Sequence, residues 1–307
     1  MNEKSVENET GFPLVTIVMA TYNGEKYLEE QLNSVVNQSY RSIELIVLDD
    51  GSKDNTVNIL QKYAARYPFM RVVQNDVNLG YIKNFEKGCT LANGQYISFC
   101  DQDDVWDLEK TELLMQEIGA HPMIYCDSAL VNGNLEPLHN HSALKNLAPF
   151  DNCLYFATDN CVGGHALVMK KEIALAAIPF PIQMPHDLWL AFFTTFYGSI
   201  SYYNIPLVKW RQHGHNITQI KKNKETKEEE ARQRLAIFYN ACPESFSRQK
   251  HVLSLLYKSY QHTLPCNFKR MLLFIRYQRY FLAMKKRNAF RKWLFCLKMF
   301  VKIREHV

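Results

Sequence analysis

At 307 residues, 47% of them apolar and 22% charged, the chain has ample material for a buried core, which excludes a disordered polar chain, and its length suits one main domain plus an appendage. Its eight cysteines are scattered with no C-x-x-C pair, so neither a zinc knuckle nor a redox motif is indicated. The net charge of +5 is unevenly placed: from Cys266 onward twelve Lys and Arg stand against Glu305 alone, whereas residues 1–265 carry 24 basic and 30 acidic side chains, so the two parts are expected to meet different partners.

The first ten residues are polar and the first apolar run, Leu14 to Ala20, is short, so no export signal is read. Unpaired thiols without an export signal point to the cytoplasm. Residues 14–19 are rich in β-branched side chains and predict a buried strand. Tyr27, Leu28, Leu32, Val35 and Val36 recur at helical spacing within residues 25–40. A second strand is expected over 43–48, and a second helix over 54–67 with Asp54 as its N-cap. A strand at 71–73, a helix at 81–91 and a strand at 96–100 follow. This alternation predicts an α/β fold, a mostly parallel sheet flanked by helices. Ligands of such sheets bind at the carboxyl ends of the strands.

From Met123 the pattern turns to α+β: a short strand at 123–126, a polar loop through Pro149, a strand near 163–169, an apolar helix from Leu188 and a strand through Tyr202 and Tyr203. The uncharged run from Leu188 to Val208 is long enough to cross a bilayer, but Gly198, Asn204 and Pro206 fit a helix turning into a strand better. Residues 221–230 are almost wholly charged and read as a solvated helix or linker.

Three strand ends carry candidate chemistry. Asp101-Gln-Asp103-Asp104 sets three carboxylates within four residues, which repel one another unless a cation or solvent compensates. Such a set suits Mg²⁺ or Mn²⁺, which also bind diphosphate oxygens; an acidic turn capping the next helix accounts for it as well. Asp49-Asp50-Gly51-Ser52 and Asn78-Leu79-Gly80 read first as turns. Asp187, ahead of an apolar helix, fits a plain N-cap or, in a cleft, a general base for a hydroxyl nucleophile. Between Trp210 and Asn216, Arg211 suits a diphosphate, and His213 or His215 suits a metal; a surface loop with casual histidines is the plainer alternative.

Taken in order, these pieces resemble glycosyltransferase family 2, which has the GT-A fold, over about residues 14–218. The resemblance rests on Ala20-Thr-Tyr-Asn-Gly-Glu-Lys-Tyr-Leu28, Asp49-Asp-Gly-Ser-Lys-Asp54, Asn78-Leu-Gly80 with Asn84-Phe85, and Asp101-Gln-Asp-Asp-Val-Trp106 as the D-x-D motif. Within the family the chain is similar to bacterial rhamnosyltransferases of cell-wall and capsular polysaccharides, through Gly163-Gly164, Met184-Pro-His-Asp-Leu-Trp189 and Arg211-Gln-His-Gly-His-Asn216. It departs from that group at Trp210, where Tyr is usual, and at His165, where a small or apolar residue is usual.

The resemblance implies a GT-A catalytic domain over 13–220 and a basic helical C-terminal region over 221–307. Thr21, Tyr22, Glu25 and Asp50 would hold the base and ribose of a nucleotide-diphosphate sugar, with Asn23 and Ser52 alongside. Asn78, Gly80, Lys83 and Asn84 would line the ribose–diphosphate path. Asp101 would face the ribose, Asp103 and His213 would ligate Mn²⁺ or Mg²⁺, and Arg211 would neutralise the leaving phosphate. Asp187 would be the base of an inverting displacement, and Gly163, Gly164 and Trp189 would shape the acceptor pocket. The expected donor is dTDP-rhamnose, and the expected acceptor a saccharide or lipid-linked saccharide of bacterial surface polysaccharide synthesis. A UDP-hexose-dependent transferase of the same fold and an inactive nucleotide- or glycan-binding homologue are the alternatives. A nucleotidyltransferase would want a Gly-rich first loop with Arg and Lys, which Ala20-Thr-Tyr-Asn-Gly24 is not.

In the tail, Leu273, Tyr277, Tyr280, Phe281 and Met284, then Phe290, Leu294, Leu297 and Val301, fall at helical intervals among Lys and Arg. Basic helices with Trp293 and several Phe have the composition of an interfacial membrane anchor, so peripheral attachment to the cytoplasmic membrane face is expected and nucleic acid is not. Helices packed on the catalytic domain are the alternative.

Overall fold

The computed structural model describes residues 11–213, 224–261 and 263–301. Its first half alternates strand and helix: β1 (Val15–Thr21), α1 (Leu28–Val36), β2 (Ile43–Asp49), α2 (Thr56–Arg66), β3 (Met70–Gln74), α3 (Tyr81–Leu91) and β4 (Tyr96–Asp101). Then come β5 (Val105–Trp106), α4 (Lys110–Glu117), β6 (Met123–Val131), β7 (Pro137–Asn140), α5 (His141–Leu144), β8 (Leu167–Lys170), α6 (Lys171–Ala176), α7 (His186–Thr194) and β9 (Ile200–Arg211). The described chain closes with α8 (Lys224–Ala241), α9 (Ser247–Lys258), α10 (Leu264–Arg276), α11 (Gln278–Phe281) and α12 (Ala289–Val301).

All these strands join one sheet, ordered β3-β2-β1-β4-β8-β6-β9-β5, with β7 on β6. The β3-β2-β1-β4 half is parallel, because each connection is a helical crossover. Beyond it β8 runs antiparallel to both β4 and β6, so the expected parallel sheet is continued by a mixed half. Residue alternation divides the core. Val15, Ile17 and Met19 point to one layer with Leu45 and Val47, whereas Val18 points to the other with Ile46 and Leu48. Register decides where the site lies: Thr21 pairs with Asp49, and Ala20 with Asp101, which sets the three polar strand ends on one rim.

Two local expectations change. The stretch up to Pro149 is not all loop: β7 extends the sheet and α5 follows it directly. Helix α2 starts at Thr56 with Asn55 in the cap position, and the Asp54 carboxylate accepts the Thr56 N–H at 3.0 Å from just outside. The Leu188 run forms α7 followed by β9, and among the described residues no helix is long and apolar enough to cross a membrane.

The helices after residue 224 are built into the same apolar layer as the sheet. Leu235, Phe238, Leu253, Leu256, Phe274 and Phe281 belong to one cluster with Val18 and Phe99. Phe238 stacks on Phe192 of α7 with centroids 3.8 Å apart. The Thr158 hydroxyl donates to the Phe281 carbonyl, and the Asn146 amide donates to the carbonyls of Ala283 and Lys285. One face of the tail is thus packed on the main body.

Candidate active site

The rim at the carboxyl ends of β1 and β2 is a network of short polar side chains. Asp49 accepts the N–H groups of Gly51 and Ser52 and the hydroxyls of Thr21 and Ser52. The Ser52 oxygen in turn accepts the Asn23 N–H at 2.9 Å. Asp50 is buried and saturated: its oxygens accept the Asn75 amide and the N–H groups of Leu79 and Gly80. This holds the 78–80 turn, where Gly80 takes φ +77°, against the rim. Asn84 is buried too, its carbonyl oxygen accepting from Asn75 at 2.5 Å. Thr21, Asp50, Ser52 and Asn84, expected as donor contacts, therefore spend their polar atoms inside the network and shape its surface. Tyr22, Asn23, Glu25 and Asn78 are exposed along its edge. Gly24 lies under Gln102, whose Oε1 is 2.2 Å from where a Cβ would sit. Gln102 also bonds both backbone groups of Tyr22, which ties the acidic turn to the first strand end. Lys83 is ion-paired with Glu86 at 2.8 Å on the surface of α3.

The acidic turn after β4 spreads its three carboxylates in different directions. Asp103 meets His213 with Oδ2 and Nε2 2.7 Å apart. Asp104 is fully buried; Oδ1 accepts the Arg211 N–H at 2.9 Å, and Oδ2 has no partner. Asp101 lines the cleft and stays about half exposed, its Oδ2 lying 3.9 Å from His165 Nδ1. Single ligand atoms of Asp101, Asp104 and His165 lie within 4.8 Å of one another. Partial desolvation first, then the charges of Asp103 and Asp187, raise the Asp101 carboxyl above the usual carboxylate range. Burial and the charges of Asp103 and Asp101 drive Asp104 well above the usual range. Carboxylates so unwilling to be charged together are what a divalent cation would relieve, and an orphaned buried oxygen beside an imidazole fits such an ion.

Arg211 is placed otherwise than expected. Its guanidinium is buried, donates to the Asp103 and Gly133 carbonyls and the Glu30 carboxylate, and lies 4.2 Å over the Tyr27 ring. The same ring lies 5.1 Å from His213, centroid to centroid. The guanidinium is buried and turned inward onto these three acceptors, so Arg211 supports the turn of Asp103 and Asp104 from behind. The second histidine candidate, His215, lies outside the described residues.

Asp187 is the second residue of α7 and is mostly buried. Its carboxylate accepts the N–H groups of Leu188 and Gly164, the latter at 3.3 Å. Burial raises its carboxyl to about 6 against those bonds. Gly164 is needed here, since a Cβ would stand 2.6 Å from His186 Nε2 and 3.6 Å from the Asp187 Cβ. At Gly163 a Cβ would meet the His165 ring at 2.8 Å. His186 is walled by Phe85, Phe99 and Tyr81, and burial lowers it to about 3, so it stays neutral at pH 7. Tyr81 is pushed to about 12 by burial and by the charges of Asp187 and Asp101. Asp187 and Asp101 are thus near enough to perturb the same groups, and Asp103 and Asp187 both act on Asp101.

Trp189, expected in the acceptor pocket, turns into the core, where its indole N–H donates to the Ala177 carbonyl and its ring packs on Phe192 and Phe193. The aromatic surface beside the cleft is Trp210 instead, partly exposed, with His165 at 4.9 Å and His141 at 5.7 Å. His165 is fixed by Ser128 Oγ at 2.9 Å and kept neutral by burial, which lowers it to about 3. Asp104, His165 and Trp210 are the residues absent from the expected set. The signals were the third carboxylate of the acidic turn and two departures from the rhamnosyltransferase pattern.

Comparison with known proteins finds relatives in sequence and in fold. The sequence profile of "Glycosyl transferase family 2" matches residues 16–174, just over half of the chain. A Shigella flexneri dTDP-rhamnosyl transferase, RfbG, is 43% identical over 97 residues, covering 30% of this chain and 34% of its own. The Escherichia coli protein WfgD, a UDP-Glc:α-D-GlcNAc-diphosphoundecaprenol β-1,3-glucosyltransferase, is 30% identical over 182 residues, 58% of this chain and 69% of its own. The chain thus spans from about a third to about two thirds of the length of these relatives. Among solved structures, S. aureus TarS 1–349 in complex with UDP-GlcNAc superposes with a TM-score of 0.60 over 96% of this chain and 93% of its own, at 17% identity, which establishes a shared fold.

Proposed function

The chain belongs to glycosyl transferase family 2 and is a glycosyltransferase of GT-A fold, and from that premise we propose that it transfers one sugar from a nucleotide diphosphate to a saccharide acceptor by a metal-dependent, inverting displacement. The observation that carries this reading is the Asp103–His213 pair beside Asp101, with the charges of both Asp103 and Asp187 close enough to raise the Asp101 carboxyl. Residues 13–220 form the catalytic part in this reading and 221–307 the basic helical region. The donor is rhamnose from dTDP-rhamnose, supported by the resemblance to RfbG; a UDP-hexose is the second reading, supported by WfgD. The diphosphoundecaprenol in the name of WfgD also supports a lipid-linked saccharide acceptor, and with it work at the cytoplasmic membrane face.

The exposed edge formed by Tyr22, Asn23, Glu25 and Asn78 receives base and ribose, framed from below by Thr21, Asp50, Ser52 and Asn84. Gly80 and Lys83 border the diphosphate path, the Lys83 ammonium resting on the Glu86 carboxylate in a half-buried pair. Asp101 meets the ribose. Asp103 and His213 would hold Mn²⁺ or Mg²⁺, with the ligand atoms of Asp101, Asp104 and His165 as the adjoining cluster, and the ion would supply positive charge to the leaving diphosphate. Asp187 takes the proton of the attacking acceptor hydroxyl, and the Gly164 N–H keeps one of its oxygens turned to the cleft. Gly163 and Gly164 shape the acceptor side by letting the His165 and His186 rings close against the backbone beside Asp187, and Trp210 offers the acceptor an apolar face.

The test is nucleotide release from dTDP-rhamnose, UDP-glucose and UDP-galactose, each with Mn²⁺ and with chelator. One donor is expected to turn over with Mn²⁺ only, and Asp103→Ala is expected to flatten that manganese response. Binding without turnover on every donor would favour the inactive homologue, and an unchanged manganese response in Asp103→Ala would remove that residue from the metal site.

A further inference from the structure

We infer that α10 and α12 together form a membrane-docking face that lies flat on a bilayer of anionic lipid. The inference rests on the proposed work at a membrane surface for its setting, and it names the part of the molecule that makes the contact. Each helix has one packed side and one apolar side turned to solvent. On α10 the exposed apolar residues are Leu264, Phe268, Leu272 and Ile275, spaced four, four and three apart, so they form one stripe. On α12 they are Phe290, Trp293, Leu294 and Phe300. Individual exposures run from 38% to 66%, far above what a lone surface Leu would need explained.

The two stripes are one surface. Phe268 and Phe300 meet edge to face at 6.4 Å across the helix pair, and Phe290 stacks on Trp293 at 6.4 Å. The opposite sides are pinned: Cys296 and Met299 are buried, and the buried Arg270 donates to the carbonyls of Ser259 and Met299. Arg270 thus locks α10 to both α12 and the end of α9, so the apolar face is held in place before any partner arrives. A groove of about 780 Å³ between α9 and α10 is lined partly by Leu255 and Leu272, with Lys258, Lys269 and Arg276 around it. Leu272 belongs to both features, so the groove opens beside the face.

Charge decides the occupant. From Thr263 to Val301 the sequence has ten Lys and Arg and no Asp or Glu. Lys269, Arg276, Arg291 and Lys298 are exposed on the helices that carry the stripes. A second copy would bring the same positive charge against this face, whereas anionic headgroups over an apolar layer match both of its properties. Neither helix is long and apolar enough to cross, which leaves an in-plane contact.

The test is flotation of the full chain with vesicles of phosphatidylcholine alone and with added phosphatidylglycerol. Wild type is expected to bind the anionic vesicles at least tenfold more than the neutral ones, and less at high salt. Phe268→Asp with Trp293→Asp is expected to lower that binding at least tenfold with an unchanged melting temperature. Lys292→Glu with Lys298→Glu should weaken it with the apolar stripe intact. Equal binding by the Asp variant, or no binding by wild type, overturns the inference. So does a wild-type dimer that the Asp variant converts to monomer, because a second copy would then cover the face. No sugar transfer enters the readout, so failure here leaves the proposed reaction standing, and failure of that reaction leaves this face standing.

Discussion

Asp187→Asn is expected to lower the rate of transfer by about 10²–10⁴-fold, the usual worth of a positioned base, while nucleotide binding stays within a few-fold. The substitution keeps the shape of the side chain but only one of its two bonds, because the Leu188 and Gly164 N–H groups donate to different oxygens and an amide has one acceptor; nor can the amide take up the proton. The same residue predicts a pH profile. Its carboxyl is raised from 3.8 to about 6, so turnover should fall on the acid side with a midpoint near 6. His186 and His165 are lowered to about 3 and Tyr81 is raised to about 12, so they do not titrate there, whereas the Asp101 carboxyl is raised too and shares this limb with Asp187. Stability should move the other way. Asp187 ionises more easily unfolded than folded, so it weakens the fold above pH 3.8 and does so in full above about 6. The melting temperature of Asp187→Asn relative to wild type should therefore rise as pH climbs from below 3.8 to above about 6. A variant that loses nucleotide binding, or keeps its rate, would remove Asp187 from the role of base.

Arg211→Lys is expected to damage fold and donor use together. Lysine offers one point charge where the guanidinium fork serves Glu30, Gly133 and the Asp103 carbonyl in one plane and covers Tyr27. Arg211→Ala would lose all of these and leave a void, for roughly 3 kcal/mol; that is the low end for removing one partner of a buried ion pair, because Glu30 is itself half exposed. In a chain of this size that corresponds to a fall in melting temperature on the order of 10 °C. Both variants should need more Mn²⁺ for the same donor affinity, since the turn carrying Asp103 and Asp104 is held from behind by this side chain. A phosphate-binding Arg211 would behave differently: turnover would drop with no change in melting temperature, and that outcome would restore the role suggested by its motif.

Arg211 also shows where sequence reading reached its limit. The parallel half was legible because β-branched runs and helical spacing recur with short connections, and the register of β1 with β2 and β4 then follows from the fold. The cluster at the strand ends was legible for the same reason. Depth was not. Motifs that read as ligand contacts split, in three dimensions, into a buried layer (Thr21, Asp50, Asn84, Arg211, Trp189) and an exposed one (Tyr22, Asn23, Glu25, Asn78). Adjacent residues on a strand or turn point oppositely, so sequence proximity cannot say which carboxylate of Asp101, Asp103 and Asp104 faces solvent. His165 and Trp210 come together only because β8 and β9 both pair with β6, a long-range fact. In the tail, helical spacing gave the helices, but only packing separates the stripe that meets the core from the stripe that meets solvent.

The most direct measurement is the anomeric configuration of the sugar first released or transferred from the donor that turns over, followed by NMR before mutarotation. A single displacement with Asp187 as base predicts a configuration opposite to that of the donor, with formation slowed in Asp187→Asn. Retention of configuration would mean two displacements or another geometry of attack, and would contradict the account of this cleft.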